Sequence, residues 1–172
     1  MKAIILFLLT LIITTADAQH LRTGDPAPPF SAWKWIKGKP VGEFRSGTIY
    51  IIEFGATWCA PCAEAIPELS ALADKYDHDA KVISVFVMEQ MSRGQNPYGG
   101  NVEKYVKKRG DQMRYTVALD SPEGTLQKTW LNAAGSSGIP FTIVVDREGK
   151  IAWTGHSIKE LTKTMEELCD KD

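Results

Sequence analysis

Apolar positions follow two rhythms along this chain. A β-branched run, Ile49-Tyr50-Ile51-Ile52 followed by Phe54, has almost no polar alternation and predicts a buried strand. A Gly-Ala-Thr turn leads from it into a stretch where Ala65, Ile66, Leu69, Leu72, Ala73 and Tyr76 recur at helical spacing, which predicts a helix from about Cys59 to about Lys75. Pro67 falls inside that helix and is expected to kink it, because an interior proline removes a backbone donor. Lys81–Met88 (KVISVFVM) is apolar on both faces, as in a parallel strand covered by helices on either side.

The remaining pattern is weaker. Residues 19–30 include LRTGDPAPPF, too rich in Pro and Gly for a helix, and predict an extended lead-in. Ser31–Gly47 alternates apolar and basic residues around Trp33 and Trp35, which predicts a short hairpin whose two tryptophans share a face as core or as cover for the sheet edge. Ser92–Gly100 has loop composition and is a candidate rim of a binding groove. Val102–Arg109 predicts a short exposed helix, Thr116–Leu119 a short strand, and Gly124–Leu131 a helical turn or two with Trp130 as packing. Phe141–Val145 and Ile151–Thr154 form a hairpin, and Ser157 with Glu160 makes a capping box for a last helix carrying Leu161, Met165 and Leu168 on one face. The order is strand-helix-strand, an inserted section, then an antiparallel hairpin and a closing helix. It gives an α/β domain with a mixed central sheet flanked by helices.

Composition narrows the class. The chain has 172 residues, 44% hydrophobic and 24% charged, enough for one globular domain with a real core. Its formal net charge of -1 is dispersed, so no nucleic-acid surface and no polybasic membrane patch is expected. Lys2, the apolar run Ala3–Ile13 and the small-x-small step Ala16-Asp17-Ala18 predict a signal peptide over residues 1–18. That run is shorter than the roughly 20 residues of a spanning helix. The expectation is cleavage after Ala18, export to a periplasmic or secreted location, and a soluble chain whose folded domain covers residues 31–172.

The chemistry sits where the first strand meets its helix. Cys59 is placed at the helix start, where unpaired N–H groups and the helix dipole favour a thiolate, and Cys62 follows one turn later within disulfide reach. Pro61 stands just inside the helix start, where its missing donor matters least. Half a zinc site would need a second cysteine pair, yet Cys169 is alone at the far end of the chain. A structural staple closing so short a loop would remove little entropy from the unfolded chain. A reversible dithiol remains, with the Cys59 sulfur expected to be open to incoming molecules. Cys169 reads as a small apolar residue on the last helix, and His20 and His78 carry no argument.

Trp58-Cys59-Ala60-Pro61-Cys62, followed by Glu64 and Pro67, the step Gly138-Ile139-Pro140, and the lead-in Gly24-Asp25-Pro26-Ala27-Pro28 resemble the thioredoxin superfamily. More narrowly, the chain is similar to exported TlpA-like thiol-disulfide oxidoreductases from about Gly24 to Cys169. The resemblance implies a thioredoxin-like fold with a central insertion between Met88 and Leu131, and no cofactor beyond the cysteine pair. It implies that Cys59 attacks a substrate disulfide and that Cys62 resolves the mixed disulfide. Pro140 matches the family's cis-proline, which would turn the Ile139 backbone toward an extended substrate peptide, with Trp58 and Pro61 as further substrate contacts. A trans proline opening a strand is the competing reading. Glu53, six residues before Cys59, stands where thioredoxins carry a buried aspartate; it could exchange the Cys62 proton, or it could be a strand-edge acid in solvent.

These features favour a monomeric, exported reductase of protein disulfides. Its substrates could include apocytochrome c, and a membrane electron donor of the thiol-transfer type would supply it. A disulfide-forming oxidant would use the same residues, but known oxidants of that kind carry a large helical insertion that is missing here. Peroxide reduction uses a different, Thr-containing motif. A copper(I) carrier would require Cys59, Cys62 and His156 to act as ligands together.

Overall fold

A computed structural model describes residues 20–89 and 99–170. The signal-peptide reading over residues 1–18 and most of the loop expected over 92–100 lie outside the described residues. Six strands make one mixed sheet: β1 (Lys34–Lys37), β2 (Ile49–Gly55), β3 (Ala80–Phe86), β4 (Thr116–Leu119), β5 (Phe141–Val145) and β6 (Ile151–Gly155), in the order β1-β4-β3-β2-β5-β6. Among the described residues three α-helices accompany them: α1 (Ala60–Lys75), α2 (Gly100–Arg109) and α3 (Ile158–Cys169). This is the thioredoxin-like arrangement, with α2 and β4 supplied by the inserted section.

β2 is central because both of its faces and both of its edges are used. Every one of its residues is buried. It runs parallel to β3 and antiparallel to β5. Ile49 and Ile51 face Ile66, Leu69 and Leu72 of α1, and the same cluster takes in Val102 and Val106 of α2 and Leu161 and Met165 of α3. Tyr50, Ile52 and Phe54 face the other way, onto Phe30, Trp130 and Leu131. At about 1.5–3 kcal/mol for each large apolar side chain buried, this two-sided core fixes the end of β2 and the start of α1 as one rigid corner. α1 continues unbroken through Pro67.

Trp130 lies in a π-helical stretch, Gln127–Asn132, and is fully buried. Its ring meets Phe30 edge-on at 5.8 Å, and its Nε1–H donates to the Pro29 carbonyl at 3.2 Å. Asp120 starts that stretch by accepting from the backbone N–H groups of Leu126 (2.8 Å) and Gln127 (2.9 Å). Ser157 caps α3 by accepting from the Glu160 N–H at 3.3 Å. Cys169, at the end of that helix, is half-buried and free.

One expectation is corrected. The N-terminal hairpin over Ser31–Gly47 does not form; β1 pairs antiparallel with β4, not with a neighbour in sequence. Gly38 follows β1 at φ +81°, and a side chain there would meet Thr116 Oγ1 at 2.6 Å, so the chain turns away directly against β4. Trp35 packs half-buried on the second cluster, whereas Trp33 precedes the strand and is 52% exposed. The lead-in is stitched to β6 through Gly24 N–H to Ile151 O (2.8 Å) and Ile151 N–H to Asp25 O (2.9 Å).

Candidate active site

The corner between β2 and α1 carries the two cysteines. Cys59 is the residue that caps α1: its Sγ accepts from the Cys62 backbone N–H at 3.2 Å. A sulfur in that place feels the unpaired N–H groups of the first turn, so negative charge on it is favoured. Pro61 occupies the first turn, as its fixed φ allows. Cys59 and Cys62 are joined as a disulfide with their Cα atoms 5.3 Å apart.

Access to the pair is narrower than the sequence suggested. Cys59 is 5% exposed and Cys62 7%. Both pack with Ala56 and with Ile139, which covers them from the side. The covering is a consequence of register: Phe54 pairs with Phe141 across β2 and β5, so the residues before Phe141 meet those after Phe54. The Ile139–Pro140 peptide is cis. Ser136 fixes the preceding residues, its Oγ donating to Gly138 O at 3.1 Å and accepting from Gly138 N–H at 3.3 Å. Trp58, by contrast, is 46% exposed, and its indole N–H donates to the Met88 carbonyl at 3.2 Å.

Glu53 lies beneath this surface, on the α1 side of β2, and is 3% exposed. Ser84 Oγ donates to its Oε2 at 2.5 Å, while Oε1 has no hydrogen-bond partner among the described residues. Burial pushes its pKa up from 4.5 to about 7, against the opposing effect of the Ser84 hydrogen bond. The solvent-facing alternative is thereby excluded. Its approach to the cysteines depends on Gly55: a Cβ on that residue would sit 2.7 Å from Glu53 Oε1 and 3.4 Å from Cys62 Cβ. The missing side chain leaves open the space between the carboxyl group and Cys62.

Two further residues, Glu89 and His156, complete the site. Glu89, just past β3 and 5% exposed, accepts from the Thr57 N–H at 2.7 Å (Oε1) and from the Thr57 hydroxyl at 2.9 Å (Oε2). It thus holds the turn two residues before Cys59. His156, at the end of β6, places Nδ1 2.6 Å from the Pro140 carbonyl and its ring edge-on to Phe141 at 5.0 Å. The copper-ligand trio of Cys59, Cys62 and His156 does not assemble: among the described residues no group of three or more His, Cys, Asp or Glu is placed to hold a metal. Nothing in the sequence pattern pointed to Glu89, because only the pairing of β2 with β3 brings it beside Thr57. Cys169 takes no part, and burial holds its thiol above the usual range.

Residues 23–154 match the AhpC/TSA family. The chain belongs to that family. It is 31% identical to protein FixW of Rhizobium leguminosarum over 139 residues, covering 80% of this chain and 62% of FixW. It is 25% identical to the sporulation thiol-disulfide oxidoreductase A of Bacillus subtilis over 168 residues, covering 93% of this chain and 94% of that one. A similar solved structure, a thiol-disulfide isomerase from Corynebacterium glutamicum, superposes with a TM-score of 0.71 at 16% identity, covering 87% of this chain and 99% of that one. This AhpC/TSA member is a thiol-disulfide oxidoreductase whose redox group is the Cys59–Cys62 pair.

Proposed function

We propose that this protein is exported and reduces disulfides in other proteins, with Cys59 as nucleophile and Cys62 as resolving thiol. The observation that carries the reading is Cys59 Sγ at the cap of α1, flanked by the exposed Trp58 on one side and by Ile139 of the cis-proline segment on the other. In the reduced protein the Cys59 thiolate attacks one sulfur of a substrate disulfide; that S–S bond breaks and the departing sulfur takes a proton. Glu53, titrating near 7, accepts the Cys62 proton. The Cys62 thiolate then attacks Cys59 Sγ, releases the second substrate thiol, and leaves the Cys59–Cys62 disulfide. Two electrons have moved to the substrate.

Reduction is favoured over oxidation because the described residues between β3 and β5 form short helices and a strand, with no large helical insertion among them. Export is supported by Lys2, the Ala3–Ile13 run and Ala16-Asp17-Ala18. An exported reductase needs electrons from across the membrane, so a dithiol donor of the thiol-transfer type is its partner, and protein disulfides, such as one formed between cysteines of apocytochrome c, are its substrates. The test is the equilibrium potential against glutathione together with capture of partners by Cys62→Ser. A potential near that of thioredoxin, about -270 mV, and thiol proteins trapped on Cys59 support the reading. A potential near about -120 mV, the range of strong oxidants, overturns its direction. N-terminal sequencing of the expressed protein should begin at Gln19; a start at Met1 removes export.

A further inference from the structure

The cis-proline segment is held at two points, one on each side of Ile139. Ser136 fixes Gly138 from within the loop. His156 fixes Pro140 from another strand, sixteen residues later in the chain, with Nδ1 2.6 Å from the carbonyl oxygen. A carbonyl can only accept, so Nδ1 must carry the proton. That bond therefore survives in both the neutral and the protonated imidazole. The ring is braced by Phe141, edge-on at 5.0 Å, and its Cε1 comes within 3.9 Å of where a Gly138 side chain would begin. β5 and β6 pair as far as Thr142 with Gly155, so the imidazole extends the ladder by one hydrogen bond beyond the last backbone pair.

We infer that His156 is a positioning residue for protein substrates: its Nδ1–H holds the Pro140 carbonyl, and thereby sets the Ile139 backbone against which an extended, disulfide-bearing polypeptide lies beside Cys59. This rests on the function proposed above. The ligand is main chain, recognised as an added strand, so the effect falls on polypeptide substrates and not on small thiols. Small reagents meet Cys59, whose sulfur is set by α1 and not by His156.

The experiment uses the full-length protein with three substitutions. His156→Asn places an amide N–H where Nδ1 stood, His156→Phe keeps the ring without a donor, and His156→Ala removes both. Steady-state reduction of a disulfide-containing protein is compared with the rate at which dithiothreitol reduces the Cys59–Cys62 disulfide. The expected result is a roughly five-fold rise in KM for the protein substrate in the Ala and Phe variants, the factor given by about one net hydrogen bond. kcat and the dithiothreitol rate should be unchanged, and Asn should restore KM. A Phe variant equal to the parent, or an Asn variant no better than Ala, overturns the inference. A slowed dithiothreitol reaction in all three variants assigns His156 a general structural role and also overturns it. Nitrogen NMR of the imidazole provides a readout independent of substrate: Nδ1 protonated at pH 8 supports the bond, and the opposite tautomer refutes it. Loss of all protein-disulfide reduction in the parent would refute the proposed function while leaving the tautomer result to stand alone.

Discussion

The buried carboxyl group of Glu53 makes stability depend on pH in a direction opposite to that of an ion-paired acid. Its pKa rises from 4.5 in the unfolded chain to about 7 in the folded protein. Below pH 4.5 both states hold the proton and nothing is lost. Between 4.5 and about 7 the unfolded chain gives up its proton while the folded protein keeps it, so stability falls as pH rises. Above about 7 the penalty is complete, and at about 1.36 kcal/mol per pKa unit it amounts to about 3 kcal/mol. Glu53→Gln removes the titration while keeping an acceptor for the Ser84 hydroxyl, and the amide replaces a protonated oxygen that already lacks a partner. Urea unfolding of the oxidised protein should therefore find the two proteins alike at pH 4.5 and the Gln variant more stable by about 3 kcal/mol at pH 8. Parallel curves for parent and variant across that range would show that Glu53 does not titrate there, and its role in moving the Cys62 proton would fall with it.

Other consequences are open to simpler measurement. Gly55→Ala should push the Glu53 carboxyl from its place, lowering stability by about 1–3 kcal/mol in urea unfolding and slowing resolution of the mixed disulfide, followed by stopped-flow with a trapped substrate. Glu89→Ala should release Thr57 and leave its backbone N–H short of a partner, costing about 1–3 kcal/mol and shifting the reduction potential; an unchanged potential would make the Glu89 contact purely structural. Trp130→Ala should cost about 3–5 kcal/mol by thermal or chemical denaturation, with Cys59 alkylation kinetics in the reduced protein preserved.

The parts of the fold that could be read from the chain are those whose local pattern agrees with their final surroundings. β2, β3 and β5 carry nearly continuous apolar runs because they are buried on both faces, and the Ser157 cap is a local signal that the structure keeps. β1 misled because its partner is β4, contributed by the inserted section, and no local feature of Ser31–Gly47 encodes a strand that far away. The cysteine pair was legible for the same local reason as the strands: strand, turn, cysteine and proline follow one another. Glu53 could be placed from its spacing, but its burial depends on the parallel register with Ser84 and on the absent side chain of Gly55. Glu89 and the bond from His156 to Pro140 are products of tertiary pairing alone.

The position of β1 bears on how the chain is made. Lys34–Lys37 is synthesised before every other strand, yet its ladder partner exists only once Thr116–Leu119 has followed. Until then that segment, with Trp33 before it and Trp35 within it, offers unpaired backbone to any neighbouring chain. Lys34 and Lys37 flank it with positive charge, and in the folded protein they turn to Glu103 and to the carbonyls of Gly110 and Met113. Nascent fragments that end before residue 116 should thus self-associate, and replacing Lys34 and Lys37 by neutral apolar side chains should make them do so more readily.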